Sequence, residues 1–244
     1  MVRDGRGILP AQAGVIDNSS RKGAAELRFK FFIWLLAIAA IGIWGLCYAY
    51  MLGPFRPELS RARYLDIRAS IRAAPSAVIV FGDSIVLGAP LPNAVCGNPV
   101  VNAGVGGAGI QYFERYSIEL LDSSAPKLIV LAVGINDAHA GTSQMFPTRY
   151  QETVTKLAHR APVLLATLAP VQPGLLARQF DPELVPRLNE VIKGTAGSGV
   201  AIDLHASMSE ANLTTDGVHL NSRGYELWIK AIVEGIANAL GCRP

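Results

Sequence analysis

The sequence predicts an α/β fold for residues 76–244: a three-layer α/β/α sandwich built on a five-stranded parallel sheet. Two observations predict the layers. Short apolar runs of strand-forming residues lie at 77–81, 100–102, 128–133, 163–167 and 200–204, and helical stretches lie near 109–121, 145–160, 181–196 and 222–240. Strands that alternate with helices in this way pair in parallel and are covered on both faces. A third observation concerns the ligand end of such a sheet. The first run, Val78-Ile79-Val80-Phe81, passes straight into Gly82-Asp83-Ser84. A strand ending in a small turn lifts a hydroxyl to the carboxyl rim, where open α/β sheets bind their ligands.

The elements are taken in order. Residues 1–30 are polar and aperiodic, and read as a basic mobile tail. Residues 31–52 carry no charge. As a helix these 22 residues would be ~33 Å long, enough for a bilayer core of ~30 Å. Trp44, Tyr48 and Tyr50 fall in its second half, where interfacial anchors belong. The stretch is longer than a signal-peptide core, lies far from the N-terminus and has no clean small-x-small cleavage site. An uncleaved transmembrane helix is the expectation. Basic residues flank it on both sides, so the positive-inside rule does not orient it. The domain is expected on the extracytoplasmic side, as after most single N-terminal anchors. Residues 53–75, closed by Pro54, Pro57 and Pro75, read as a juxtamembrane linker whose helix is solvated; a helix lying on anionic headgroups is the sharper alternative. In the last helix Leu227, Ile232, Ile236 and Leu240 recur at core spacing.

Charge and cysteine usage exclude several classes. The net charge of +3 resides in the tail, leaving residues 31–244 neutral. A neutral body lacks the basic footprint that nucleic acid demands. Cys47, Cys96 and Cys242 form no zinc-spaced cluster, and no metal or cofactor is expected. Cys96 and Cys242 could pair in an oxidising compartment, but two separate buried thiols are the simpler expectation. Gly104-x-Gly106-x-x-Gly109 satisfies the dinucleotide fingerprint, yet the acid that should end the next strand is missing from 128–134. No Gly-x-Ser-x-Gly elbow is present.

A serine hydroxyl needs a base, a group that orients the base, and donors for the oxyanion. Of His139, His159, His205 and His219, the last stands in Asp216-Gly217-Val218-His219, just before the final helix. One turn at Gly217 brings the carboxylate of Asp216 to one ring nitrogen and leaves the other for Ser84. Asp203 and His205 form a weaker pair, read as a strand-end hydrogen bond. His139 is placed near the rim and His159 on the surface at a helix end. Donors for the oxyanion come from the glycines after the second strand and from Gly134-Ile135-Asn136-Asp137 after the third. Asp83 and Asp137 are read as structural. The loop 169–180, with Arg178 and Gln179, is a candidate for substrate contacts; a plain connecting loop is the alternative.

Gly82-Asp83-Ser84, Asn102 with Gly107, Gly134-Ile135-Asn136-Asp137 and Asp216-Gly217-Val218-His219 resemble, in order and spacing, the four blocks of the SGNH (GDSL) hydrolases. The resemblance covers 77–240. It implies a flavodoxin-like sheet, Ser84 as nucleophile, His219 as base and Asp216 as its orienter. It further implies an oxyanion hole of the Ser84 amide, the Gly107 amide and the Asn136 side chain. Ile85-Val86-Leu87-Gly88 departs from the usual Leu-Ser-x-Gly continuation and makes the entrance more apolar. The implied activity is a membrane-anchored serine esterase that removes short O-acyl groups, such as acetyl, from a cell-envelope glycan or a lipid ester. An O-acetyltransferase acting on a surface polysaccharide would use the same residues. A silent glycan-binding module would keep the fold without the chemistry.

Overall fold

The computed structural model describes residues 28–44, 57–139, 143–181, 183–196 and 201–242. They fall into two compact units, 1–53 and 54–244.

In the first unit residues 28–44 form a helix, α1, whose side chains are exposed along its length. At ~1.5 Å per residue it is ~26 Å long. The spanning helix expected over 31–52 is therefore described only in its first part. Among the described residues no helix is long and apolar enough to cross a membrane. Residues 45–52, and 1–27 of the tail, lie outside the described residues.

The second unit begins earlier than the linker reading expects. Helix α2 (Pro57–Ala73) is packed on the domain rather than solvated. Ile67 and Ile71, four apart and so on one face, are fully buried. The ring of Tyr64 meets that of Tyr116 at 5.9 Å. Four apolar residues and Gly82 then form β1 (Val78–Gly82), buried on both faces as a central parallel strand should be. A five-residue helix α3 (Ser84–Gly88) follows. The chain continues through β2 (Ala94–Val95), β3 (Asn98–Gly104), α4 (Ile110–Leu120), β4 (Leu128–Ala132), α5 (Phe146–Ala158), β5 (Val163–Leu165), α6 (Leu184–Ala196), α7 (Leu204–Ser207) and α8 (Ser222–Leu240).

The sheet order is β2-β3-β1-β4-β5. Strands β3, β1, β4 and β5 are parallel, and β2 is antiparallel to β3. The expected five parallel strands are thus four, with a short antiparallel edge. Two local causes account for this. The first is a two-residue turn at Cys96 (φ +51°) and Gly97 (φ +73°), the conformation that closes tight hairpins. The second lies at the expected strand 200–204, where among the described residues 201–204 only Ile202 pairs, in a single parallel bridge to Ala166. Asp203 then accepts a bond from the Ala206 amide and starts α7, which ends the extended run.

Strands β4 and β5 are added on one side of β1 and β3 on the other. Right-handed crossovers therefore put α4, α5 and α6 on one face. Phe113 of α4 packs against Phe81 of β1, ring to ring at 5.4 Å. On the opposite face α8 buries Trp228, Ile232 and Ile236, and the Tyr225 hydroxyl donates to the Ile85 carbonyl at 3.1 Å. The order reverses at β1, and a crevice at the carboxyl rim is where such folds bind ligands. Cys96, in the hairpin turn, and Cys242, just past α8, form a disulfide with Cα atoms 6.3 Å apart. The expectation of two separate thiols is overturned, because β2 and the end of α8 are neighbours only in the folded chain.

Candidate active site

Level register builds the site. Gly82 of β1 stands beside Gly104 of β3 and Ala132 of β4, so three loops leave the sheet at one height. The first is the turn into α3. Asp83 Oδ1 accepts the Ile85 amide at 2.9 Å and caps the helix, which makes Ser84 its first residue. The second loop, 105–109, contains Gly107 at φ +72°, a conformation suited to glycine. The third is a 3-10 turn, Ile135–Asp137, that carries Asn136. The Asn136 side-chain amide donates to the Ala108 carbonyl at 3.1 Å, and Asp137 Oδ2 accepts the Ile110 amide at 2.9 Å. Both bonds tie the third loop to the second. The three residues expected at an oxyanion hole, Ser84, Gly107 and Asn136, thus sit on three adjoining strand ends.

His219, the residue expected as base, arrives from the other end of the chain. His219 Nε2 lies 2.9 Å from Ser84 Oγ, and His219 Nδ1 lies 2.7 Å from Asp216 Oδ2. An ionised carboxylate only accepts, so Nδ1 carries the proton and Nε2 is left to accept from the serine hydroxyl. Asp216 Oδ1 accepts the amides of Val218 (3.0 Å) and His219 (2.8 Å) across the turn at Gly217 (φ +102°). Partial burial pushes the Asp216 carboxyl up, but the His219 ring and the two amides outweigh it and hold the pKa below the ordinary carboxylate value. The bonds between Asp216 and His219 are those the four-residue spacing predicts, and the fold supplies the approach to Ser84.

Two neighbouring carboxyls behave oppositely. Burial raises Asp83 to about 7, with the Ile85 amide opposing and Asp137 adding to the rise. Burial likewise raises Asp137 to about 6, against the Ile110 amide and the charge of Arg149. Both are bonded within the fold, in keeping with the structural reading.

The remaining candidates stay outside this arrangement. His139 Nδ1 donates to the Gln179 carbonyl at 2.7 Å and its ring lies 4.2 Å from that of Phe180. His159 is exposed at the end of α5. Asp203 does not pair with His205; it caps α7 and meets Lys193 Nζ at 3.1 Å. Arg178 and Gln179 are exposed in a 3-10 turn. Among the described residues no group of three or more His, Cys, Asp or Glu could hold a metal ion.

Two contributors escaped the sequence. Gln172 braces the acid–base loop: its amide donates to Gly217 O at 2.8 Å, its side chain to Glu210 O at 2.6 Å, and its Oε1 accepts the Leu213 amide at 2.7 Å. Arg63 of α2 donates to the Gly104 and Asn102 carbonyls. Most of their partners are backbone atoms, which leave no mark in the sequence.

A nucleophile-type hydroxyl, an imidazole and a carboxylate in one hydrogen-bonded line at the rim of a doubly wound sheet are the arrangement of a serine hydrolase. The chain belongs to the GDSL-like lipase/acylhydrolase family, whose profile matches residues 80–227. On that membership it is a carboxylic ester hydrolase. Solved structures share the fold. A Bacteroides fragilis protein designated an acylhydrolase is 24% identical with a TM-score of 0.60, over 73% of this chain and 98% of that one. The acetyl xylan esterase AlAXEase is 24% identical with a TM-score of 0.56, over 66% and 99%. A catalytic mutant of the acetylxylan esterase Axe2 from Geobacillus stearothermophilus is 16% identical with a TM-score of 0.54, over 67% and 94%. No curated protein matches the chain.

Proposed function

We propose that the chain is a membrane-anchored serine esterase that removes short O-acyl groups from an acylated glycan or lipid ester of the cell envelope. The observation that carries the chemistry is the line Ser84 Oγ–His219 Nε2–Asp216, with separations of 2.9 and 2.7 Å. Ser84 Oγ attacks the ester carbonyl while its proton passes to His219 Nε2. The oxyanion is held by the amides of Ser84 and Gly107 and by the Asn136 side chain. The carbon–oxygen bond to the alcohol then breaks, and His219 returns the proton to the leaving oxygen. Water, deprotonated by the same imidazole, attacks the acyl-enzyme; the acid leaves and Ser84 regains its proton. Asp216 keeps the imidazole in the correct tautomer and stabilises its cation.

A short acyl group is supported by the small residues at 103–109 and by the exposed Leu87, which walls the second loop beside Gly106. An acetylated polysaccharide is supported by the acetyl xylan esterases among the similar folds. Membrane anchorage through 31–52 is supported by the uncharged stretch itself. An extracytoplasmic domain is supported by the Cys96–Cys242 disulfide, since such bonds persist in oxidising compartments.

The test is an assay of p-nitrophenyl acetate, butyrate and octanoate with wild type and Ser84→Ala, together with acetate release from acetylated xylan. We expect acetate esters to be preferred and Ser84→Ala to lose at least about 10³-fold in kcat/KM. Turnover retained by Ser84→Ala would sink the nucleophile assignment. A preference for octanoate would sink the short-acyl reading, and acetyl gain on an added acceptor glycan without free acetate would make the enzyme a transferase.

A further inference from the structure

The guanidinium of Arg63 closes a network at the base of the second loop. Its Nε donates to Gly104 O at 2.8 Å, and its Nη2 donates to Asn102 O at 2.8 Å and to Asn102 Oδ1 at 3.2 Å. Asn102 and Gly104 end β3, immediately before the loop that holds Gly107. The Gly104 amide also donates to Asn102 Oδ1, at 3.0 Å. On its other side Asn102 Nδ2 donates to Val86 O at 2.6 Å and to Ala89 O at 3.3 Å. Val86 lies in α3, the helix that begins at Ser84. One side chain of α2 thus fastens the strand end from which the Gly107 loop departs and, through Asn102, the Ser84 helix.

Neither segment can hold this geometry by itself. A five-residue helix is far below the length at which isolated helices persist, and the loop has one internal turn bond, Ala108 N to Val105 O, its other anchors being the Gly82 carbonyl and the Asn136 side chain. An arginine suits the task, because its rigid planar fork spans separated acceptors, whereas an ammonium donates from a single point. The anchorage of α2 does not depend on that fork, since Ile67 and Ile71 bury its other contacts.

We propose that Arg63 is a positioning residue for the oxyanion hole, setting the Gly107 loop against the Ser84 amide. This rests on the reading of Ser84 as nucleophile given above. Displacing one oxyanion donor typically costs ~10²–10³ in kcat, and loosening one should cost about tenfold or more.

The experiment uses the full chain as wild type, Arg63→Lys, Arg63→Ala, Ser84→Ala and, as a control on the exposed side of α2, Arg72→Gln. It measures kcat and KM on p-nitrophenyl acetate, the melting temperature, and the affinity of an aryl boronic acid, which forms a tetrahedral adduct on the serine. Both Arg63 variants should lose about tenfold or more in kcat with KM within about twofold, and boronate affinity should fall by the same factor as kcat/KM. Methylguanidinium added to Arg63→Ala should restore part of the rate, and Arg72→Gln should match wild type. The proposal is overturned if the Arg63 variants keep kcat within about twofold, or if the loss lies in KM with boronate affinity unchanged. If Arg63→Ala does not fold, Arg63→Lys decides on the same readouts. Turnover surviving in Ser84→Ala would remove the nucleophile reading, whereas turnover lost there but kept in the Arg63 variants would remove this proposal alone.

Discussion

Asp83 precedes Ser84, and its carboxyl is buried with a pKa raised from 3.8 to about 7. Between those values the unfolded chain has given up the proton and the folded chain keeps it. Stability therefore falls as pH rises through this window and levels off above it. At ~1.4 kcal/mol per unit the full effect is a few kcal/mol. Asn at this position would still accept the Ile85 amide and has nothing to ionise. Asp83→Asn should gain melting temperature over wild type progressively from about pH 4 to pH 7. A difference that stays flat with pH, followed by thermal unfolding, would show that Asp83 is not held neutral. The same scale shows what a sequence can carry. Ser84, Asp216 and His219 were legible because each stands in a short run whose spacing encodes a turn. Arg63 and Gln172 were not, because most of their partners are carbonyls and amides that every residue possesses.

At the scale of elements, the segment after β5 changes meaning. The loop 169–180 was read as a place for substrate contacts through Arg178 and Gln179. Two of its backbone bonds also hold the turn of Asp216 and His219: Gln172 N to Gly217 O at 2.8 Å and Leu176 N to Asp216 O at 3.0 Å. Between them, a Cβ on Gly174 would come within 2.1 Å of Asp216 O and 2.4 Å of Gly217 N. Backbone cannot swing aside as a side chain does, so Gly174→Ala must move the turn that holds Asp216 and His219. We expect kcat on p-nitrophenyl acetate to fall by about tenfold or more, since small misplacements of a base are costly. A variant with wild-type kcat would show that the acid–base loop is placed without this contact. Periodicity found the central strands and the long helices, which are decided by burial. It missed β2, a two-residue strand, and overread 200–204, where the cap at Asp203 overrides the apolar pattern.

At the scale of the whole molecule, the Cys96–Cys242 disulfide joins positions separated by 146 residues. It ties the hairpin turn before β3 to the end of α8, at the end of the sheet away from the carboxyl rim. A disulfide typically stabilises by about 2–4 kcal/mol. Replacing both cysteines by serine should lower the melting temperature by roughly 4–16 °C and leave kcat at 25 °C within about twofold of wild type. An unchanged melting temperature would mean that the link adds nothing to the folded state. The sequence by itself determined the layer architecture, the strand that delivers Ser84, and the Asp216–His219 turn, because burial periodicity and turn chemistry act over a few neighbouring residues. The tertiary structure alone decided that α2 belongs to the catalytic domain, that Cys96 meets Cys242, and that Arg63 and Gln172 brace the two sides of the Ser84–His219 pair. Those are contacts between segments far apart in the chain, made to backbone atoms or across the sheet, and only the folded register brings them together. For the strand ending at Ser84 the consequence is concrete: its hydroxyl was readable at once, while the supports around it came from helix α2 and from the loop after β5.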